Sequence, residues 1–494
     1  MNPRQPNSMS DDVRLTQPNA VIAEDHQLHR ALGPVSLIMI GIGSIIGAGI
    51  FVIAGTAAAE HAGPAVILSF VIAGFGCLFA GLCYAEFASM IPESGSAYTY
   101  AYATMGRFMA WFIGWNMVLE YLISASAVSV GWSGYFVSFL QEFGINFPAA
   151  YANAPVAGNG FHDLHLTGAI INLPATLLIV FLTAFLVVGV SESARFNAAM
   201  VMVKVGVVVL VILFGTPYIH LSNLHPFIPP NQGTFGKFGV TGIMAASGMI
   251  FFAYIGFEAV SVAAQEAKNP RRDLPIGILG SLAICTVLYM GMALVLLGIT
   301  NWRTLDVPNP VSFAVAKIGA LQWLVMPINI GAMVGLASVV FVGLYGQSRV
   351  FYSMARDGFL PPAFSAVHKR FRTPHRGTII TGFFAALLAA AFPLDLLAEL
   401  VSVGTLLAFI AVCVGIMILR VTTPKAKRSF RTPWVWLVAP AGIFVCAGMM
   451  VFLFLSSPDT ANRLVIWTVI GIVIYFTYGV RHAAPSKWVV KNEA

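Results

Sequence analysis

The sequence predicts an all-α polytopic membrane protein with twelve transmembrane helices. Of its 494 residues, 58% are hydrophobic and only 10% are charged, whereas soluble proteins carry about 25% charged residues. Its mean hydropathy is +0.83. Apolar runs of about 20 residues, the length that crosses the hydrocarbon core of a bilayer, recur twelve times. Lysine and arginine residues concentrate in alternate loops between these runs, as the orientation rule for membrane proteins requires.

We number the apolar runs in chain order as segments one to twelve: residues 36–59, 64–90, 108–137, 167–190, 196–216, 240–264, 275–299, 323–346, 377–393, 397–420, 433–456 and 464–480. The predicted organisation is a polar tail, a first group of five segments, a second group of five, the last two segments and a second tail: residues 1–32, 33–220, 221–422, 423–482 and 483–494, respectively.

The charge distribution predicts the orientation. With the N-terminus inside, 22 of the 27 lysine and arginine residues face the cytoplasm, four face outward, and Lys204 lies within segment five. Both termini are therefore expected in the cytoplasm, with the chain in a plasma (inner) membrane. The net charge of +7 reflects this topology. The sequence contains no separate basic domain, so nucleic acid is not an expected partner.

Several function classes find no support in the sequence. All five cysteines fall inside segments and all ten histidines fall outside them, so no disulfide framework or metal site is predicted. The segments contain neither a phosphate-binding loop nor paired catalytic residues. The chain is therefore not expected to be an enzyme or an ATP-driven pump.

Segment one contains a glycine cluster formed by Gly41, Gly43, Gly47 and Gly49. Each glycine costs about 0.8–1.0 kcal/mol relative to alanine inside a helix. One explanation is close packing against another helix through the spacing of Gly43 and Gly47. The other is an interrupted helix whose free backbone groups hold a ligand, which the bilayer tolerates only where the backbone lines a protein cavity.

Segment six favours the second explanation. Residues 248–261 combine aromatic side chains with Gly256 and Glu258 at the centre of the span. An aromatic stripe alone more often packs a core than binds a ligand. Here, however, segments one and six begin the two groups of five, which is the pattern of inverted repeats with a substrate site between them.

Two ionisable residues lie at depth in other segments. Glu120 lies in segment three. Inserting a carboxylate at that depth of the membrane costs on the order of a few kcal/mol, so Glu120 needs a partner. Lys204 lies in segment five, and a lysine in apolar surroundings loses its proton more readily than in water. Lys204 is therefore a candidate for proton coupling. The alternative is a permanent structural ion pair between Lys204 and Glu120.

Five stretches of the chain resemble one known family: residues 41–51, 81–100, 119–121 (Leu-Glu-Tyr), 251–275 and 347–361. By these residues the sequence resembles the amino acid-polyamine-organocation superfamily, and within it the bacterial members of the cationic amino acid transporter family. The resemblance extends over residues 33–482. It implies a leucine-transporter-type fold, with ten helices in two inverted repeats, discontinuous helices one and six, and two further peripheral helices.

The resemblance also implies a binding site for the substrate's backbone. Its α-carboxylate would meet N–H groups near Ala48 and Gly49, and its α-amine would meet the carbonyls of Ile45, Phe252, Ala253 and Ile255. Helix N-termini favour anions and exposed carbonyls favour cations, in agreement with this arrangement.

The resemblance also implies which residues couple transport to protons and which contact the substrate side chain. Lys204 matches a lysine that replaces a sodium ion in proton-driven relatives, and Glu120 matches the family's carboxylate of segment three. Ser124, Glu258 and Gly343 are expected to face the substrate side chain. Two small residues and a carboxylate favour a broad or cationic range. The alternative is that Glu258 faces the cytoplasmic gate and Gly343 packs a helix crossing.

The expected function is import of L-amino acids by proton symport, with alternating access and no cofactor besides the proton. One rival is an exchanger of amino acids or polyamines without proton coupling. Another is a sensor or receptor that binds an amino acid without moving it. The expected partners are the substrate, the lipid bilayer and either a second copy of the chain or a small membrane subunit. The preferred amino acid stays open.

Overall fold

The computed structural model describes residues 32–91, 95–158, 165–188, 194–371 and 373–483. All but one residue of each predicted tail lies outside these ranges. Of the described residues, 79% are helical. This composition confirms the prediction of a helical, polytopic membrane protein.

Within the described residues, nine helical stretches are long and apolar enough to cross a membrane: Gly49–Met90, Arg107–Glu142, Ala198–Tyr218, Gly239–Val262, Pro270–Ile299, Gly319–Arg356, Leu394–Thr422, Val435–Ser456 and Pro458–His482. Three apolar helices in the same ranges are shorter: Pro34–Ile45, Leu173–Val188 and His375–Ala391. Each of the twelve predicted segments overlaps one or two of these helices.

The remaining elements lie between the segments. Helix Ser96–Met105 connects segments two and three, and helix Pro310–Ala316 lies in the connection between segments seven and eight. Strands Val156–Ala157 and His165–Leu166 pair antiparallel, with Val156 opposite Leu166. This small hairpin belongs to the loop between segments three and four, which the charge pattern assigns to the outer face.

Segments one and six are both interrupted. In segment one, helix Pro34–Ile45 ends, Ile46 is extended (φ −72°, ψ 98°) and a π-helix begins at Gly49. In segment six, helix Gly239–Ile250 continues as a 3₁₀ turn over Phe251–Tyr254, and helix Ala259–Val262 follows a turn. Gly256 lies in that turn at φ +118°, a conformation that favours glycine.

The two interruptions pack directly against each other. A Cβ atom added at Gly49 would lie 2.2 Å from the Cα of Ala253, and one added at Gly256 would lie 2.7 Å from the carbonyl oxygen of Ser44. Other glycines of segment one serve packing, because a Cβ at Gly47 would meet Val339 at 3.2 Å. The glycine cluster therefore both packs against another helix and lies at an interruption of segment one.

A buried ion cluster joins segment two to the end of segment ten. Glu86, which is fully buried, lies 2.8 Å from Arg420 and 3.0 Å from the Nε of Arg428. It also accepts a hydrogen bond from the backbone N–H of Thr432 at 2.8 Å. Burial lowers the pKa of the Arg428 guanidinium, and the adjacent Glu86 carboxylate opposes this shift. The cluster holds the 423–434 loop against the helix bundle.

We expect Glu86→Gln to reduce the free energy of unfolding by about 3–5 kcal/mol, because it leaves buried guanidinium charge without its carboxylate. Glu60→Gln is the matched control, since the Glu60–Lys237 pair is 3.2 Å apart with both side chains more than a third exposed. Such an exposed pair contributes about 0–1 kcal/mol. Thermal unfolding of the purified variants in one detergent measures both effects. Equal losses in the two variants would contradict a structural role for the buried cluster.

Candidate binding and coupling site

The carbonyl groups exposed by the two interruptions meet one tyrosine. The hydroxyl of Tyr289, a fully buried residue of segment seven, lies 2.8 Å from the carbonyl oxygen of Ile45 and 2.9 Å from that of Ala253. A hydroxyl carries one proton and so donates to one of these carbonyls at a time. The other carbonyl is then available to an ammonium group, which is the role that the family resemblance implies for both.

Lys204 lies beside the interruption of segment one and is completely buried. Its ammonium group donates to the carbonyl of Gly43, to the carbonyl of Ile46 at 3.2 Å and to the hydroxyl of Ser338 at 3.0 Å. The last carbonyls of a helix lack intrahelical partners and carry partial negative charge. The broken helix therefore provides the acceptors that stabilise the buried cation.

Segment eight makes room for this lysine. A Cβ atom at Gly335 would lie 3.3 Å from both the Cβ and the Cδ of Lys204, so a larger residue would press on the lysine stem. One turn later, Ser338 donates to the Gly335 carbonyl at 2.8 Å and accepts from Lys204. Segments one, five and eight thus meet at the Lys204 ammonium group.

Glu120 and Glu258 form a second polar centre. Both are about 1% exposed, and their carboxyl groups act on each other electrostatically. One oxygen of Glu258 accepts from the backbone N–H of Gly256 at 3.0 Å. The other oxygen of Glu258 and both oxygens of Glu120 accept no hydrogen bond from a donor among the described residues. Two carboxylates repel each other, so three unpartnered acceptor oxygens in one buried place are costly.

The backbone around Glu120 is irregular. Residues Leu119–Ile123 form a π-helix between helices Arg107–Val118 and Ser124–Glu142. Single π turns inside α-helices are frequent at functional sites. Here the extra residue in the turn changes the direction of the side chains that follow it.

These contacts give no support to the alternative of an ion pair between Lys204 and Glu120. The carboxyl group that acts on Glu120 is that of Glu258 in segment six. The Lys204 ammonium contacts two backbone carbonyls of segment one and the hydroxyl of Ser338. Segment five, which carries Lys204, packs on segments one and eight.

The other predicted substrate contacts fall into two groups. Ala48, Gly49, Phe252 and Ile255 are buried at the two interruptions. Ser124, partly buried, is the first residue of helix Ser124–Glu142.

Gly343 lies at a helix crossing. A Cβ atom there would lie 3.0 Å from the carbonyl oxygen of Tyr121 and 3.2 Å from the Cβ of Ala125. These contacts favour the alternative in which Gly343 packs segment eight against segment three. They provide no support for Gly343 as a filter of substrate size.

Sequence reasoning missed Tyr289 and Ser338. Each is one of the few side chains in its segment that can donate a hydrogen bond inside the membrane. A polar group there needs a partner within the protein, so such residues could have been marked as candidates from the sequence. The sequence contains many other buried hydroxyls, however. Only the packing of segments seven and eight identifies these two as contacts of the broken helices or of Lys204.

The fold and the site together define a class of protein. Broken helices that meet around buried ionisable groups inside a multi-helix membrane bundle are characteristic of secondary transporters. The chain belongs to the amino acid permease family, whose family model matches residues 32–476.

The relatives of this chain are transporters and not enzymes. The chain is 43% identical to the branched-chain amino acid permease BcaP of Bacillus subtilis (strain 168), over 94% of this chain and 96% of the relative. It is 42% identical to the methylthioribose transporter of the same organism, with the same coverage. It is 39% identical to the vacuolar cationic amino acid transporter 4 of Arabidopsis thaliana, over 81% of this chain and 64% of that relative.

We expect Tyr289→Phe to reduce the free energy of unfolding by about 1–3 kcal/mol, because it removes the shared donor from two buried carbonyls. Tyr254→Phe is the control, since the Tyr254 hydroxyl donates at 3.0 Å to Phe70, a residue within a regular helix. Its loss should cost about 0.5–1.5 kcal/mol. Thermal unfolding without and with amino acid tests the site, since a bound amine should restore more stability to Tyr289→Phe. Equal restoration in both variants would argue against amine binding at these carbonyls.

Proposed function

We propose that this protein imports L-amino acids by proton symport, with alternating access in a twelve-helix bundle built from two inverted repeats of five. The observation that carries the proposal is the binding of Lys204 to the carbonyls of the broken segment one. This contact makes the shape of the substrate-binding backbone depend on the charge of one titratable group. Membership of the amino acid permease family supports the substrate class.

The coupling step follows from the contacts of Lys204. A protonated lysine has three N–H donors, and here they reach Gly43, Ile46 and Ser338. Loss of the proton removes the positive charge that attracts the helix carbonyls and also removes one donor. The interruption is then held less firmly. A change in its shape would be linked to release of substrate and proton on one side of the membrane.

The connection between the broken segments supports alternating access. Leu32, just before segment one, pairs with Ala267, just after segment six. The N–H of Leu32 donates to the Glu266 carbonyl at 3.0 Å, and the N–H of Lys268 donates to the Leu32 carbonyl at 2.8 Å. With the proposed orientation, this pairing lies on the cytoplasmic side. Its separation would open the site to the cytoplasm.

We further propose a neutral, apolar side chain for the preferred substrate. The described surroundings of the interruptions are apolar, through Ile45, Phe252 and Ile255. One oxygen of Glu258 already accepts from the backbone N–H of Gly256, so this carboxyl group is not wholly available to a cationic side chain. The name of the Bacillus subtilis branched-chain permease agrees with this choice. The broad or cationic range that the sequence favoured, based on Ser124, Glu258 and Gly343, is the second candidate.

The peripheral helices support no partner by themselves. Val465, Val469 and Val473 of segment twelve are about half exposed, as expected of residues that face lipid. Contact with a second copy or with a small membrane subunit remains a prediction.

Uptake into proteoliposomes tests the proposal. An inward proton gradient should drive leucine or valine above equilibrium, and excess arginine should compete poorly. Strict counterflow without accumulation would indicate the exchanger, and binding without flux would indicate the receptor. Accumulation of arginine in preference to leucine would restore the cationic range.

Lys204→Ala should abolish accumulation driven by the pH gradient but leave substrate counterflow measurable. Lys204→Arg should also fail to couple, because a guanidinium keeps its proton at accessible pH. Counterflow serves as the control for folding in both variants. If accumulation in Lys204→Ala depended on the pH gradient as steeply as in the unmodified protein, Lys204 would have no part in the coupling step.

Glu120→Gln provides the comparison at the second polar centre. A glutamine amide can donate a hydrogen bond to the unpartnered oxygen of Glu258 without taking up a proton. Proton-driven accumulation should therefore persist in this variant. If it were lost as completely as in Lys204→Ala, the carboxyl pair would be part of the coupling step.

A further inference from the structure

A cavity of about 1170 Å³ opens where segment seven begins, immediately after the broken segment six. Lys268, Arg271 and Arg272 line one side of it, and Ile276 and Leu279 continue along the same helix. Phe430, from the loop between segments ten and eleven, lines it from across. The cavity thus combines a basic rim with an apolar wall.

The rim has an excess of positive charge. Lys268, Arg271 and Arg272 are all exposed. The neighbouring Asp273 is buried, and its carboxylate accepts a hydrogen bond from the backbone N–H of Asn269 at 3.2 Å. Because the Asp273 carboxylate is directed towards the start of its own helix, the positive charges of Lys268, Arg271 and Arg272 dominate the rim. Guanidinium groups bind phosphate oxygens in a bidentate geometry, and the lysine adds a point charge.

The wall distinguishes this cavity from an ordinary basic loop. Ile276 is 37% exposed, and Leu279 follows it one turn later on helix Pro270–Ile299. Beyond them, a Cβ added at Gly280 would lie 3.0 Å from Ile38 of segment one, so the wall reaches the broken helix. A ligand that fits both surfaces has an anionic head and an apolar chain. A basic loop that only sets orientation needs no such apolar wall.

We propose that this cavity binds an anionic phospholipid of the cytoplasmic leaflet. Its phosphate contacts Lys268, Arg271 and Arg272, and its acyl chain lies along Ile276 and Leu279. Basic pockets at the cytoplasmic ends of membrane helices are a recognised form of lipid-binding site. The proposal rests on the orientation assumed under the proposed function, but binding itself does not require transport.

The position of the lipid gives it a regulatory role. Lys268, a rim residue, donates its backbone N–H to Leu32 in the pairing that joins the two broken segments. A lipid held by Lys268 and the helix that follows stabilises the arrangement in which this pairing is closed. A ligand that binds one arrangement more tightly shifts the equilibrium towards it. Anionic lipid is therefore expected to favour the cytoplasm-closed state.

The test uses the purified full-length protein in detergent, with phosphatidylglycerol and phosphatidylcholine as the probes. Lipid binding is followed by native mass spectrometry and by the rise in unfolding temperature. Phosphatidylglycerol should bind and stabilise, and phosphatidylcholine should not. The variant Arg271→Gln with Arg272→Gln should bind phosphatidylglycerol at least about tenfold more weakly, since each basic residue near an anionic surface contributes about 1 kcal/mol.

The matched control is Lys369→Gln with Arg370→Gln, which removes two exposed charges from another loop assigned to the cytoplasm. Its affinity for phosphatidylglycerol should stay within about twofold of the unmodified protein, because diffuse attraction is short-ranged under screening salt. Equal losses in the two double variants would overturn the proposal in favour of diffuse charge. Equal binding of both lipids, or displacement of phosphatidylglycerol by equimolar inorganic phosphate, would also overturn it. A protein that binds lipid as expected but moves no amino acid would refute only the proposed function.

Discussion

The structure depends on one constraint, which is that polar backbone groups inside a bilayer must be paired within the protein. Segments one and six both break at depth and face each other across Gly49 and Ala253. Their exposed carbonyls are paired by the Lys204 ammonium and the Tyr289 hydroxyl. The regular helical hydrogen bonds are replaced at this point by side chains from two other segments, five and seven. Any proton or amine that competes for these groups acts directly on the breaks.

The buried ionisable groups of the core lie in two separate places. Lys204 of segment five donates hydrogen bonds to the carbonyls of segment one and to Ser338 of segment eight. Glu120 and Glu258 face each other on the side of segments three and six. This separation makes the environment of Lys204 sensitive to the conformation of segment one, since helix carbonyls move when the helix moves. An ion pair with a fixed carboxylate would not have this property, and the arrangement suits a group that gains and loses a proton during a transport cycle.

The same two segments are joined again at their other ends. The pairing of Leu32 with Ala267 ties the start of segment one to the end of segment six, and the basic cavity begins at the next residue, Lys268. The same two segments therefore connect the centre of the bundle to the edge that we propose faces the cytoplasm. Substrate and proton act on the centre, and membrane lipid acts on the edge in the arrangement that we propose.

The sequence by itself determined the membrane class and the approximate positions of the segments, and it favoured interruptions within the glycine cluster of segment one and near Gly256 of segment six. These features are local, because apolar length, loop charge and the cost of glycine in a helix are properties of neighbouring residues. It also identified Lys204, Glu120 and Glu258 as the costly ionisable groups of the core.

Only the tertiary structure decided what these groups contact. It separated Glu120 from Lys204, assigned Gly343 to a helix crossing and brought Tyr289 to the carbonyls of two distant segments. The physical reason is that the direction of a side chain turns by about 100° with each residue of an α-helix. Small differences in helix rotation, such as the π turn at Leu119–Ile123, therefore change the partner. The rotation of each helix is set by its packing against all of its neighbours, which no single stretch of sequence contains.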